Sequence, residues 1–127
     1  MSIDRNLGEV LQTIEVAAPV RVSASANRTG VDIRDYVGDI VVTLSSSAGG
    51  GITPTLDVKL QESDDNSTFT DITGAAFAQV TDAADSTESI VIDADATKRY
   101  IRAVDTVAGT SPTFDRAIVA HGVKQVR

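Results

Sequence analysis

The sequence predicts an all-β fold, an antiparallel β-sandwich or jelly roll of about eight strands, with an N-terminal arm or short helix. Three observations lead there. Apolar and polar residues alternate with a period of two in several short runs, the mark of a strand with one buried face. Those runs are rich in Val, Ile and Thr. Between them lie clusters of Gly, Asp, Asn and Ser, the residues of turns. A small β-barrel is the alternative architecture.

Residues 1–16 are expected to form the arm, and residues 17–127 a single sandwich domain. Leu7, Val10, Leu11 and Ile14 fall at helix-like spacing, in a segment that reads as a short helix, a strand or an extended arm. Two roles remain open for it. One is a frayed terminus. The other is an arm whose four apolar side chains contact a neighbouring subunit, each linked contact making the next effectively intramolecular.

"APVRVSASA" and residues 31–33 are weak strand candidates. "DIVVTLSSS" places Ile40, Val42 and Leu44 on one face, and "LDVKLQES" does the same with Leu56, Val58 and Leu60. Between these two strands, "SSSAGGGITP" carries Gly49, Gly50 and Gly51, then Pro54. Glycines lose much backbone entropy in a packed strand and offer no side chain to it, so this stretch is expected to be a long, mobile hairpin loop. "ESDDNST" follows as the turn of a hairpin between residues 56–61 and 69–72. The competing role for that turn is a Ca²⁺ site at Asp64, Asp65 and Asn66. The spacing lacks the alternating ligands and the distant Glu of a calcium loop. "TDAADSTE" is a polar connection, and "ESIVIDAD" is a strand with Ile90 and Ile92 inward.

The last two strands, residues 100–107 and 114–122, are expected to pair as a hairpin around "AGTSPT", where Pro112 need not donate to a ladder. A symmetric hairpin sets Val107 opposite Phe114, Ala103 opposite Ile118, Tyr100 opposite His121, and Asp105 opposite Arg116. That last pair is a proposed cross-strand ion pair, worth roughly 0.2–1 kcal/mol. The alternatives are that both charges face water, or that each pairs with a neighbouring subunit.

The composition narrows the function. The chain has 127 residues, enough for one domain, and 42% of them are apolar. Aromatics are 4%, so Val, Ile, Leu and Ala must build the core around Tyr36, Phe69, Phe77, Tyr100 and Phe114. The net charge of −7 speaks against nucleic-acid binding by phosphate neutralisation and against an anionic membrane surface. It favours solubility. With no cysteine, thiolate catalysis and Cys-based zinc sites are excluded. "MSIDRNLGEVLQTIEV" has no apolar core of a signal peptide, and no run is long enough to span a membrane as a helix. His121 is the only histidine and no G-x-S-x-G elbow exists, so no enzyme and no cofactor are expected. The sequons at Asn27 and Asn66 lack a secretion signal to give them meaning.

"GVDIRDYVGDIVVTLSSSAGG", "LDVKLQESDDNSTFTDI" and "RYIRAVDTVAGTSPTF" together resemble small structural proteins encoded in the head-gene modules of tailed bacteriophages. The shared features are the Gly-Val-Asp strand start, a "KLQxSDD" hairpin with an aromatic after the turn, and a "YIRA" strand. They span residues 30–114. Phe69 stands here where Trp is usual, a difference of packing. The resemblance implies a virion structural protein, a decoration or cement protein on the outer capsid surface, made in the host cytoplasm. It further implies the major capsid protein as partner and a homo-oligomer, with a trimer favoured. The alternative is a receptor- or carbohydrate-binding sandwich module of a tail or head fibre.

Overall fold

The structure, a computed structural model, describes residues 11–125, and among these there are only strands and their connections. The strands are β1 (Leu11–Val22), β2 (Ala26–Asn27), β3 (Val31–Asp32), β4 (Tyr36–Ser46), β5 (Gly50–Ser63), β6 (Thr70–Ala76), β7 (Ser86–Asp93) and β8 (Tyr100–Lys124). All pairings are antiparallel.

β8 organises the rest. Residues 114–124 of β8 lie in a first sheet, ordered β1–β8–β4–β7. Residues 100–108 lie in a second sheet, with β2 and β3 on one side and β5 then β6 on the other. β4 and β5 follow one another along a single edge of β8, from Tyr36 opposite Lys124 to Ser63 opposite Tyr100. β1, β2 and β3 line the other edge, from Leu11 opposite Val123 to Asp32 opposite Tyr100. The chain is therefore a ribbon of four long antiparallel segments, folded across its middle into two facing sheets. With β2 and β3 sharing one position and β8 counted in both sheets, this is the eight-position connectivity of a double-sheet jelly roll.

The alternating residues fill the space between the sheets. Ile40, Val42, Leu44 and Ile118 come from the first sheet, and Leu56, Val58, Leu60 and Ile101 from the second, all buried. Phe114 is the largest fully buried side chain. Ile14 and Val16 of β1 belong to the same core. Of the four residues assigned above to a partner-binding arm, Leu7 and Val10 lie outside the described residues. Leu11 and Ile14 lie in β1, and Ile14 is taken up by the domain itself. The helix-like spacing there gives way to strand alternation, because the edge of β8 offers residues 11–22 a ladder.

Two expected loops are one corner. "GGGITP" is not a mobile hairpin loop, and "AGTSPT" is not a hairpin turn; most of each runs inside a strand. Gly50 pairs with Thr113, Ile52 with Thr110 and Thr55 with Ala108, with register shifts between. Here both strands pass from one sheet to the other. The bend uses left-handed backbone at Gly51 (φ 101°), Thr53 (φ 46°), Gly109 (φ 118°) and Ser111 (φ 49°). The two halves of β8 consequently do not pair with each other. Val107 pairs with Leu56, Phe114 with Val22, and Ala103 with Leu60. Ile118 pairs with Leu44 and Ala17, Tyr100 with Asp32 and Ser63, and His121 with Thr13 and Val41.

At Gly109 a Cβ would lie 2.8 Å from the Thr53 carbonyl oxygen, whereas at Gly74 (φ 79°) it would meet nothing within 4 Å. Gly109→Ala therefore carries both a dihedral and a steric cost, and Gly74→Ala only the first. We expect Gly109→Ala to destabilise by about 1–3 kcal/mol and more than Gly74→Ala. Urea denaturation of the two variants measures the difference. Equal losses would show that the corner is not tightly set.

Candidate functional site

Where the middle of β1 leaves its regular register, a charged cluster lies beneath the edge of the sandwich. β1 shifts register between Glu15 and Ala17 and again between Ala17 and Val20. These bulges turn the Ala18 carbonyl inward, where it accepts a hydrogen bond from Arg116 Nη1 at 2.9 Å. Arg116 Nε and Nη2 donate to Asp105 at 3.1 and 2.6 Å, a two-pronged contact. Both side chains are 0% exposed. Neither charge faces water, and they meet across the core, from opposite sheets, rather than side by side along a hairpin. The magnitude changes accordingly: breaking a buried pair costs about 3–5 kcal/mol, because the remaining charge stays desolvated.

A third group joins them. Arg28, between β2 and β3, donates from Nε to Asp105 Oδ2 at 2.6 Å, and its side chain is 28% exposed. The backbone N–H of Arg28 donates to the Ala103 carbonyl, which fixes this segment against β8. The cluster is thus Arg–Asp–Arg, with a formal charge of +1. It underlies a cavity of about 430 Å³, whose lining includes Val16, Ala17, Val31, Arg28, Arg116 and the exposed Glu15. Sequence reasoning missed Arg28. The one available signal was an unpaired charge in "SANRTG", and nothing in its spacing pointed to Asp105.

The "ESDDNST" segment is a turn. Asp65 Oδ1 accepts from Ser63 Oγ and from the backbone N–H groups of Ser67 and Thr68, each at 2.9 Å. Ser63 Oγ in turn accepts from the N–H groups of Asp65 and Asn66. Asn66 takes the left-handed conformation (φ 59°). Asp64 lies 3.7 Å from Lys98 Nζ. The carboxylates here therefore bind the chain itself. Donation by the Thr68 N–H, then by the Ser63 hydroxyl and the Ser67 N–H, holds the Asp65 carboxyl below its ordinary range.

The outer faces of the two sheets differ. On the second sheet, Asp71 accepts from Gln61 and Lys59, Arg102 donates to Gln61, and Arg102 stacks on Phe69 at 4.0 Å. On the first sheet, Val41 lies between Val91 and His121, and Thr43 lies between Ser89 and Val119. Val37, Val41 and Val91 are exposed there, Val91 to 58%. One face carries a polar network, and the other is mixed, with the exposed Val41–Val91 pair flanked by Asp39–Asp93 and by the hydrogen-bonded Thr43–Ser89 pair.

The triad makes the charge exchange asymmetric. Arg116→Asp alone should cost about 3–5 kcal/mol. The double exchange Asp105→Arg with Arg116→Asp restores one pair but sets the new guanidinium at position 105 against Arg28, so recovery should be partial. Adding Arg28→Gln should restore more. Chemical denaturation of the set reads these differences, and full recovery by the double exchange would remove Arg28 from the cluster.

Acid should weaken the surface network. Hydrogen bonds from Gln61 and then Lys59 hold Asp71 low, as the Thr68 and Ser67 amides and the Ser63 hydroxyl hold Asp65. A carboxyl lowered in the folded state contributes stability above its unfolded pKa and loses it as pH falls through the folded value. The melting temperature should therefore drop below about pH 4. Asp65→Asn should flatten that drop, and an unchanged acid limb would refute the link.

No known protein family matches the sequence, and no curated protein matches it. Solved structures do. A chain of the infectious bursal disease virus Gx strain structure superposes with a TM-score of 0.62 at 15% identity, covering 90% of this chain and 32% of that one. A chain of the T13 particle of the same virus gives 0.62 at 15%, covering 90% and 31%. One from its VP2 subviral particle gives 0.54 at 14%, covering 90% and 32%. The present chain thus spans about a third of the length of those chains, and what it shares with them is the fold.

Proposed function

We propose that this protein is a virion structural component, a decoration or cement protein on the outer surface of a tailed-phage capsid shell, bound to the major capsid protein. The observation that carries this reading is the jelly roll, similar over 90% of the chain to chains in virus-particle structures. The exposed Val41–Val91 pair on the outer face of the first sheet is consistent with it, because two neighbouring apolar side chains there gain from being covered. A closed trimer is the arrangement we favour, since cyclic closure limits association to a finite assembly. Of the arm read from the sequence as residues 1–16, we propose that Leu7 and Val10 serve the contact with a neighbouring subunit, since Ile14 is held in the domain core. In the receptor-binding alternative, aromatic side chains in loops would recognise a sugar, but Phe69 is engaged by Arg102.

Purified particles test the proposal through copy number and imaging. Hundreds of copies in threefold groups on the shell are expected, and a handful at the tail would overturn the decoration role. On shells stripped of the protein, Val91→Lys should rebind at least tenfold more weakly while keeping its fold. Deleting residues 1–10 should weaken attachment without unfolding the domain. Deleting residues 1–16 should also destabilise it by about 2–5 kcal/mol, because Ile14 and Val16 leave the core.

A further inference from the structure

The Arg–Asp–Arg cluster holds one cation more than its single carboxylate neutralises. Arg116 is satisfied by Asp105 and by the Ala18 carbonyl. Arg28 commits only Nε of its side chain, to Asp105. Its Nη1 and Nη2 have no protein partner among the described residues and face the solvent-filled groove, with the side chain 28% exposed. A guanidinium in that position presents a fork of donors in a setting where water is partly excluded, and this geometry matches a carboxylate. The cavity above it, of about 430 Å³, has the size of a small-ligand site and walls that include Val16, Ala17 and Val31.

We propose that the groove between β1 and the β2–β3 segment is a binding site for a carboxylate carried next to an apolar group, held by Arg28 and backed by the Arg116–Asp105 pair. Such a group is either an acidic side chain beside Val or Leu in an extended segment of another chain, or a free branched-chain organic acid. The site does not depend on the assembly role. Its specificity has two parts. Arg28 reads the charge, and the apolar walls exclude strongly hydrated anions. Glu15, exposed on the same lining, opposes an incoming anion and sets a limit on affinity. Asp105 acts as a positioning residue, since its Oδ2 holds both Arg28 Nε and Arg116 Nη2.

Removing Arg28 leaves a neutral Arg116–Asp105 pair, so Arg28→Gln is compatible with a folded domain. The test uses the full chain labelled with ¹⁵N and followed by NMR, including the arginine Nε–H signals. The probes are acetyl-Val-Asp-Val-amide, its Val-Asn-Val counterpart, and sodium isovalerate matched against sodium chloride at equal ionic strength. The Asp peptide should shift the Arg28 Nε–H and the amides of Val16, Ala17 and Thr29, and the Asn peptide should not. Arg28→Gln should weaken binding by about tenfold or more, the scale of one lost charged hydrogen bond. Arg28→Lys should fall between, and Glu15→Gln should tighten binding several-fold. A purely structural Arg28 would leave the Glu15→Gln response absent. A peptide that binds more tightly than isovalerate identifies a chain-borne carboxylate, and equal binding identifies a free acid; both support the site. Identical shifts from the Asp and Asn peptides, shifts that persist in Arg28→Gln, or no response to either carboxylate would overturn it.

Discussion

Everything in this fold is hydrogen-bonded through one strand that must serve two sheets. β8 carries β1, β2 and β3 on one edge and β4 and β5 on the other. A strand cannot lie flat in two facing layers, so it has to bend, and its partner has to bend at the same level. Gly51, Thr53, Gly109 and Ser111 supply the unusual backbone on both sides of that bend. Space is as limiting as dihedral freedom: a Cβ at Gly51 would sit 2.5 Å from the Ser111 carbonyl oxygen, and one at Gly49 2.6 Å from the Phe114 ring. The glycines that look like slack in the sequence are points of closest approach.

The period-two pattern made most of the core legible. Ile40, Val42, Leu44, Leu56, Val58 and Leu60 face inward as their alternation requires. The turn at residues 63–68 was legible too, because Asp and Asn there have a local reason to be present. What stayed hidden was long-range. "GGGITP" and "AGTSPT" each carry ordinary turn chemistry, and neither contains the information that they lie opposite one another. Residues 7–14 read equally as helix or strand because a short apolar set fits both periods. The edge of β8 decided the matter for residues 11–14.

The candidate site was legible by half, for the same reason. Asp105 and Arg116 stand out as charges within apolar strands, so their association could be inferred. The inference relied on a hairpin that does not exist. They meet because the folding of the ribbon lays one half of β8 over the other, which brings inward-facing positions of the two sheets together. Burial then turns a weak surface contact into a demanding one, which the bulged Ala18 carbonyl and Arg28 help to satisfy. The cluster sits where β1 departs from its ladder, and the irregular edge and the buried charge are two aspects of one local solution.

The pairing of Leu11 with Val123 has a consequence for the living cell. Within this domain β1 leaves the ribosome first, and its ladder partner leaves last. Each of β1, β2 and β3 must wait for β8, and β8 is also the neighbour of β4 and β5. β5 can pair with β6 and β4 with β7 earlier, but every ladder with β8 waits until nearly the whole domain has been translated, so the two sheets are completed only at the end of its synthesis. Through that interval Ile14 and Val16 of β1 lack the β8 ladder that holds them in the core. An excess of seven negative charges keeps such chains apart while they wait. The acidity of this protein then serves its folding before it serves the folded state.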